Sequence, residues 1–370
     1  MKIAFVGQKG LPAQTGGVER QVEELMIHLA ERGHSVDAYA RKGYAHDLAV
    51  YKGVRIIALP FIKGKNFEAI SHTFLAVLHL WFRKLDVIHF QSIGPASLIW
   101  LVKILKPRTP IVFTFHCKDY QHKKWNTFAQ WYLKFGENVG CRLADQTCVT
   151  SKELTAEANE LYKGYPIKYV PSGINPPTLL EVSGIRRFGI DKKNYILYAG
   201  RLVRHKGVHY VINAFKRTDI NKKLVIAGGG AYTDDYVDEL KKLAAGDDRI
   251  IFVGNQSGSL LTELYSNAYL VVQPSEYEGL SMAILEAMSY GLPCLVSDIP
   301  SNLEATNGLG LTFRNRDEND LEAKLISADQ NPELIAQQGL ALKARTREEY
   351  DWNRIVDETL NIYQQVIAKQ

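Results

Sequence analysis

The sequence predicts an α/β protein built from two doubly wound parallel sheets. Three observations carry that prediction. Short apolar runs alternate with amphipathic helical stretches along both halves, as in chained βαβ units. The alternation is broken by Pro171-Ser172-Gly173-Ile174-Asn175-Pro176-Pro177, a stiff connector rich in proline. The chain of 370 residues is long enough for two domains of ordinary size. The expected domains are therefore 1–175 and 176–351. A C-terminal helix over about 352–370 is expected to pack back on the first, and a cleft to lie between the two.

The elements follow from periodicity, in chain order. Ile3–Gly7 reads as a strand. Val18–Arg32 is an amphipathic helix with Val22, Leu25, Met26 and Leu29 at helical spacing, and Gly33 stops it. Ser35–Ala40 and Val54–Leu59 are strands, 66–84 a helix and Val87–Phe90 a strand. Ala96–Leu105 is a helix ended by Pro107. Ile111–Phe115, Gln146–Thr150 and Lys168–Val170 are strands, with helices over Asn126–Ala144 and Lys152–Tyr162 between them. Beyond the connector the strands are Tyr195–Tyr198, Lys223–Ala227, Ile250–Phe252, Tyr269–Gln273 and Pro293–Val296. Helices Gly207–Phe215, Asp234–Ala244, Ser257–Ala268 and Ser281–Ser289 link them. The chain closes with helices over Asp320–Ala328, Asn331–Glu349 and Trp352–Lys369. The halves share this architecture but no repeated residues.

Composition is that of a globular protein with no low-complexity tract. No apolar run approaches the roughly 18 residues that span a bilayer. Met1-Lys2 runs straight into a strand, so no leader is expected. Cys117, Cys141, Cys148 and Cys294 form no C-x-x-C pair and read as free thiols of a reducing cytosol, not as a metal site. Charge is uneven. Residues 1–180 hold 23 Lys+Arg against 14 Asp+Glu, a net +9, whereas the remainder is net −4. An anionic partner for the first half follows, such as nucleic acid, lipid headgroups or a lipid-linked diphosphate.

Ligands of doubly wound sheets sit outside the carboxyl ends of the strands, at helix N-termini. Two stretches occupy such places. Gly200-Arg201-Leu202-Val203-Arg204-His205-Lys206-Gly207 follows the strand Tyr195–Tyr198. Arg201 and Lys206 could converge on one anion there, the first as a rigid fork and the second as a point charge; a solvated surface pair is the plainer reading. Glu278-Gly279-Leu280-Ser281, with Glu286 two turns into the next helix, follows Tyr269–Gln273. Gly279, Leu280 and Ser281 offer N–H groups to a phosphate. Met282, Ile284, Leu285, Ala287 and Met288 make that helix apolar on most sides, so Glu286 is expected to be largely buried, a costly place for an unpaired carboxylate. Cations suit a diphosphate and carboxylates suit sugar or ribose hydroxyls, so the two stretches together suit a nucleotide-sugar.

Other positions are less specific. Gly7, Gly10, Gly16 and Gly17 form a long glycine-bearing loop into the first helix, without a G-x-G-x-x-G fingerprint. Gly16 and Gly17 expose N–H groups at a helix start. His116 ends the strand Ile111–Phe115, with Asp119 three residues on either orienting it or merely solvated. His89 is a weaker candidate, and a lone histidine is more often structural. Gly228, in Ala227-Gly228-Gly229-Gly230, is either a loose turn or a bare backbone for a nucleotide. Val253 and Asn255 end the next strand, where backbone groups could meet a base. The helix over 66–84 is apolar nearly all round in its second half. Core burial is its plainer reading, and a membrane-surface helix flanked by Lys63, Lys65, Arg83 and Lys84 is the alternative. Lys118, Lys123, Lys124 and Trp125 add basic and aromatic character nearby.

Taken together, Gly16-Gly17, Thr114-Phe115-His116, Pro171-Ser172-Gly173-Ile174-Asn175, Gly200-Arg201-Leu202 with Lys206-Gly207, and Glu278-Gly279 with Glu286-Ala287-Met288 resemble the family 4 retaining glycosyltransferases of the GT-B fold. The resemblance spans nearly the whole chain, and the Glu-x7-Glu element with the Arg/Lys pair is its most specific part. It implies that Arg201 and Lys206 hold the donor diphosphate and stabilise the leaving nucleotide. It implies that Glu286 binds the ribose, Glu278 the donor sugar, and the Gly279–Ser281 amides the phosphate. Gly16 and Gly17 would close over the diphosphate and His116 would meet the sugar near the reacting carbon. Gly200, Gly228, Val253 and Asn255 complete the expected donor site. Retention would follow from front-side attack with no enzyme nucleophile.

One departure stands out: the family often has Asp directly after the histidine, where this chain has Cys117. No Asp-x-Asp occurs, in keeping with an enzyme that needs no metal or other cofactor. The expected reaction moves a sugar from a nucleoside-diphosphate sugar, UDP favoured, to a hydroxyl of a polysaccharide or lipid-linked oligosaccharide. The expected location is the cytoplasm, peripheral at the inner membrane face through a basic first domain; nucleic acid is not an expected partner. Two alternatives stay open. A nucleotide-sugar epimerase of the same fold would consume donor without acceptor, and a non-catalytic sugar-nucleotide-binding subunit would tolerate loss of Lys206 or Glu278.

Overall fold

The computed structural model describes residues 1–13, 16–44, 48–64, 67–121, 126–230 and 234–370. They divide into two compact units, Met1–Gly173 with Trp352–Gln370, and Ile174–Asp351.

The first unit runs β1 (Lys2–Val6), α1 (Gly17–Glu31), β2 (Ser35–Arg41), β3 (Val50–Tyr51), β4 (Val54–Leu59), α2 (Glu68–Trp81), β5 (Val87–Gln91), α3 (Ile93–Ala96), α4 (Ile99–Leu105), β6 (Ile111–Phe115), α5 (Thr127–Leu143), β7 (Gln146–Val149), α6 (Lys152–Leu161) and β8 (Ile167–Tyr169). Its strands lie in the order β3-β4-β2-β1-β5-β6-β7-β8. All pairs are parallel except β3 with β4. Strand order therefore reverses between β1 and β5. Alternate residues feed two cores, as a sheet covered on both faces requires. Ile3 and Phe5 pack with Val22, Met26 and Leu29 of α1 and with Ile355 and Tyr363 of the C-terminal helix. Ala4, Val6 and Ile88 pack with Ala76 and Leu80 of α2, Val102 of α4 and Leu133 of α5.

The second unit runs β9 (Tyr195–Ala199), α7 (Val208–Lys216), β10 (Lys223–Ala227), α8 (Asp234–Ala244), β11 (Ile250–Gly254), α9 (Gly258–Asn267), β12 (Leu270–Gln273), α10 (Met282–Ser289), β13 (Cys294–Ser297), α11 (Pro300–Thr306), β14 (Leu311–Phe313), α12 (Glu318–Gln330) and α13 (Pro332–Glu349); α14 (Trp352–Ala368) then returns to the first unit. Its strands are all parallel in the order β11-β10-β9-β12-β13-β14. Counted within the unit that is 3-2-1-4-5-6, with its switch point between β9 and β12. The unit's ends meet, the Ile174 N–H donating to the Tyr350 carbonyl at 2.8 Å.

Two expectations need correction, and three short elements carry no signal in the sequence. The helix over Ala96–Leu105 is two helices, because the Ser97 hydroxyl donates back to the Gly94 carbonyl at 2.6 Å and competes with the helical ladder. Strands β3 and β14 and helix α11 are too short to carry a periodic signal. Helix α2 is not wholly core. Ala76, Val77 and Leu80 are buried, but Phe74, Leu78, Trp81 and the adjoining Phe82 are exposed, because the sheet covers only one of its faces. Lys65 lies outside the described residues, as do Lys123, Lys124 and Trp125.

Candidate active site

In the second unit the sequence-predicted carboxylate and lysine meet at the switch point. Lys206 sits in the turn after β9. Gly207 beside it has φ +70°, and a Cβ there would lie 2.1 Å from the Pro274 carbonyl oxygen. The Glu276 N–H donates to the His205 carbonyl at 2.8 Å, and the His205 ring stacks on Tyr277 with centroids 4.6 Å apart. The turn after β9 is thereby held against the loop after β12. This brings the Lys206 ammonium onto Glu278 Oε1 as an ion pair and hydrogen bond. The two side chains are 13% and 12% exposed. Ser275 Oγ donates to the same oxygen at 2.7 Å and Gln273 Nε2 at 3.4 Å. Burial pushes the Glu278 carboxyl up, but Lys206 and Ser275 outweigh it, and the net shift is downward, so the group stays ionised.

Arg201 stands two residues beyond β9 and is exposed, its carbonyl accepting from Tyr198 Oη at 2.9 Å. The ion pair of this turn is Lys206 with Glu278. Among the described residues no carboxylate lies within ion-pair distance of Arg201. Gly279 and Leu280 are half-buried, and Ser281 is buried at the N-cap of α10, where its Oγ finds no hydrogen-bond partner among the described residues. The expectation that Glu286 is largely buried is corrected. Ile284, Leu285, Ala287 and Met288 take the core face, and Glu286 lies half-buried beside it.

The glycine run after β10 is not a loose turn. A Cβ on Gly228 would lie 1.9 Å from the Gly200 carbonyl oxygen. The Gly228 N–H donates to Gly254 and the Leu202 N–H to Gly229, at 2.8 and 2.9 Å. Close backbone packing by itself requires a glycine at 228. Val253 is buried with its carbonyl accepting from the Gln256 side chain, and Asn255 is exposed.

In the first unit Gly16, at φ +93°, caps α1, and both it and Gly17 are exposed. The preceding loop is tied to α1, with Glu19 accepting from the Lys9 N–H at 2.9 Å and Glu23 from the Ala13 N–H. His116 is buried just past β6, and burial drives its imidazole down to about 4. Its Nε2–H donates to Gln91 Oε1 at 2.8 Å. Gln91, the last residue of β5, is the site residue that sequence reasoning missed. Its signal was present as the polar alternation His89, Gln91 in an otherwise apolar strand. Asp119 instead accepts from Cys117 Sγ at 3.3 Å. His89 is structural, held between Tyr363 Oη at 2.7 Å and Thr114 Oγ1 at 2.6 Å. Among the described residues no group of three His, Cys, Asp or Glu side chains could hold a metal ion.

Comparison with known proteins comes to the same place. The family model described as Glycosyltransferase Family 4 matches residues 15–177, and that described as Glycosyl transferases group 1 matches 185–345. The chain is 27% identical to an uncharacterized glycosyltransferase of Methanocaldococcus jannaschii over 98% of both proteins. It is likewise 27% identical to a glycogen synthase of Mycobacterium tuberculosis, over 98% of this chain and 94% of the relative. Among solved structures it resembles the sucrose-phosphate synthase of Thermosynechococcus elongatus, with TM-score 0.86, 23% identity and full coverage of both chains. It also resembles Anabaena HepE in complex with UDP, with TM-score 0.80, 18% identity and coverage of 99% and 100%. Both likenesses establish the two-Rossmann GT-B fold.

Proposed function

The chain belongs to the family 4, group 1 glycosyltransferases of GT-B fold, and from that premise we propose that it moves a hexosyl group from a nucleoside-diphosphate sugar, UDP favoured, to a hydroxyl of a polysaccharide or lipid-linked oligosaccharide. The observation that carries the donor site is the Lys206–Glu278 pair at the β9/β12 switch point. Among the described residues all three side-chain hydrogen bonds to Glu278 arrive on Oε1, which leaves Oε2 for a sugar hydroxyl. Lys206 and the exposed Arg201 supply the cations for the diphosphate. The N–H groups of Gly279, Leu280 and Ser281 and the backbone of Gly200 and Gly228 line its path, with Val253 and Asn255 toward the base. Glu286, on the half-exposed side of α10, is assigned to the ribose. Gly16, Gly17 and His116 are assigned the remaining donor contacts.

The reaction we assign retains anomeric configuration. The acceptor oxygen bonds to the anomeric carbon on the face from which the diphosphate departs, the carbon–oxygen bond to phosphate breaks, and the acceptor proton passes to the departing phosphate oxygen. Lys206 and Arg201 neutralise the charge that develops there, so no metal is needed. UDP is favoured by the Anabaena neighbour's complex; that is a property of the neighbour.

We also assign the first unit a peripheral place on an anionic membrane. Among the described residues every exposed phenylalanine and tryptophan lies on or beside α2, α4 and α5: Phe67, Phe74, Trp81, Phe82, Trp100, Phe128, Trp131 and Phe135. These helices form one layer on one face of the first sheet. Aromatic residues edged by exposed Lys63, Lys84 and Arg108 suit the headgroup zone. No described helix is long and apolar enough to cross a bilayer.

The deciding experiment is a thermal-shift screen of UDP, GDP, dTDP, ADP and NAD on the protein and on Lys206→Ala, since a ligand of the folded state raises the melting temperature. A shift by one nucleoside diphosphate, lost in the variant, is expected; a shift by NAD only would overturn the reading. Sedimentation with anionic liposomes, weakening as salt rises, is the membrane arm, and absence of binding at low salt would refute it.

A further inference from the structure

Behind Glu278 the second unit carries a chain of buried polar side chains that packing by itself does not need. Gln273 ends β12 and Ser275 stands just beyond it, Ser297 ends the neighbouring β13, and Asn302 lies in α11. None of the four is more than 1% exposed, so water cannot stand in for a lost partner. Apolar residues fill such a space without desolvation cost, so a polar set kept there is held by its own hydrogen bonds.

Those bonds run in one direction, and the acceptors fix it. Asn302 Nδ2 lies 3.2 Å from the Ser297 carbonyl oxygen and 3.0 Å from Ser297 Oγ. A carbonyl can only accept, so the Asn302 amide presents its nitrogen there. Ser297 Oγ receives from Asn302 and gives its own proton to the Ser275 carbonyl at 2.5 Å. From the other side, Gln273 Nε2 lies 3.0 Å from Ser275 Oγ and 3.4 Å from Glu278 Oε1. An ionised carboxylate also only accepts, so Gln273 donates to both. Ser275 Oγ, receiving from Gln273, turns its single proton to Glu278 Oε1 at 2.7 Å. Ser275 is thus held at its carbonyl by Ser297 and at its hydroxyl by Gln273. The chain ends on the oxygen that also meets Lys206.

We propose that Gln273, Ser297 and Asn302 are positioning residues that lock Ser275, and through it hold Glu278 with Oε1 toward Lys206 and Oε2 toward the donor sugar. This rests on the reading above that Glu278 meets that sugar. The terminal torsion of a glutamate is broad, so a carboxylate held by one flexible lysine would swing. Donors from Ser275 and Gln273 on the same oxygen stop it. Among the described residues neither Ser297 nor Asn302 bonds Glu278 or Lys206, so their effect passes through Ser275. The relay ties the carboxylate to two strand ends and a helix, a rigid support of the kind that preorganised sites require.

Nitrogen-15 lysine labelling gives a readout that needs no substrate. The Lys206 ammonium, assigned by its loss in Lys206→Arg, should give a resolved signal in the cold, because burial and Glu278 slow its proton exchange. Ser297→Ala and Gln273→Met should each shift or broaden that signal. Ser289→Ala, which removes a hydroxyl bonded to the Glu286 carbonyl outside the relay, should leave it in place. No resolved signal in the unaltered protein, or one that Ser297→Ala and Gln273→Met both leave in place, would overturn the relay. Ser289→Ala moving it as far would mark general loosening and overturn it too. Asn302→Leu frees the Ser297 proton to turn elsewhere and should follow Ser297→Ala; a signal identical to that of the unaltered protein would remove Asn302 from the relay.

Calorimetric titration then compares UDP with UDP-glucose, UDP-galactose and UDP-N-acetylglucosamine. Ser297→Ala should bind UDP as the unaltered protein does, and bind the tightest of the three sugar nucleotides about tenfold more weakly, the worth of one well-placed hydrogen bond. Equal losses for UDP and the sugar nucleotide, or none for either, would mark a merely structural residue and overturn the positioning role. If the unaltered protein binds no sugar nucleotide more tightly than UDP, or no UDP, the functional reading fails, and the ammonium signal still decides whether the relay holds Glu278.

Discussion

Lys206 and Glu278 sit close enough to solvent exclusion that removing one injures the other. Lys206→Ala leaves a carboxylate at 12% exposure with Ser275 and Gln273 as its remaining donors. Breaking such a pair from one side costs about 3–5 kcal/mol, most of it from the stranded charge. Lys206→Ala is therefore expected to lower both the melting temperature and turnover, the latter by about a hundredfold or more. Adding Glu278→Gln should return much of the melting temperature and none of the turnover, which calorimetry and a donor-consumption assay would separate. The histidines make a second prediction at this scale. Burial holds His72, His89 and His116 down at about 4, 3 and 4, His89 with a further push from His116. In the unfolded chain these groups take up protons below their ordinary value of 6.5. Their contribution is thus fully present above that pH and is lost as pH falls toward 4, by about 1.4 kcal/mol per pH unit for each ring. All three lie in the first unit. The depressed Glu278 acts in the second and loses its stabilisation only as pH falls below 4.5. Urea titrations between pH 7 and 5 should show the first unit's transition weakening more than the second's, where burial also pushes His209 down.

At the scale of elements, the proposed donor site depends on loops that touch through bare backbone. Gly207 combines φ +70° with a Cβ position 2.1 Å from the Pro274 oxygen, so alanine there must push apart the turns that carry Lys206 and Glu278. Gly246 shares a positive φ of +84° but has open space around it. Gly207→Ala should therefore cost more than Gly246→Ala, by about 1–3 kcal/mol of overpacking, and should weaken nucleotide binding where Gly246→Ala leaves it intact. Equal losses in both would show that backbone angle rather than contact sets the cost. Helix α2 teaches the same lesson from the opposite side. Its apolar residues run nearly all round, yet only the face on Ala76, Val77 and Leu80 is covered.

For the whole molecule, the second unit is contiguous in sequence, has its own two-sided core, and begins and ends on a shared hydrogen bond between Ile174 and Tyr350. Residues 174–351 made separately should unfold cooperatively, and a nucleoside diphosphate should raise their melting temperature; a non-cooperative melt would contradict this. The first unit is interrupted. Trp352, Ile355, Val356, Ile362, Tyr363 and Val366 of α14 complete the core beneath α1, so truncation at Asp351 should unfold it. Most elements and both Rossmann units were legible in the sequence, because period, glycine and proline are local signals that each segment carries by itself. Which charges would pair was not legible. Arg201 and Lys206 share a turn, but strand order set Lys206 against Glu278, across seventy-two residues of chain. Nor could spacing find Gln91 for His116, rule on the burial of Glu286, or tell the covered face of α2 from the bare one. Those depend on which strands become neighbours and which side of a helix meets the sheet, and such contacts between residues distant in sequence exist only once the chain has folded.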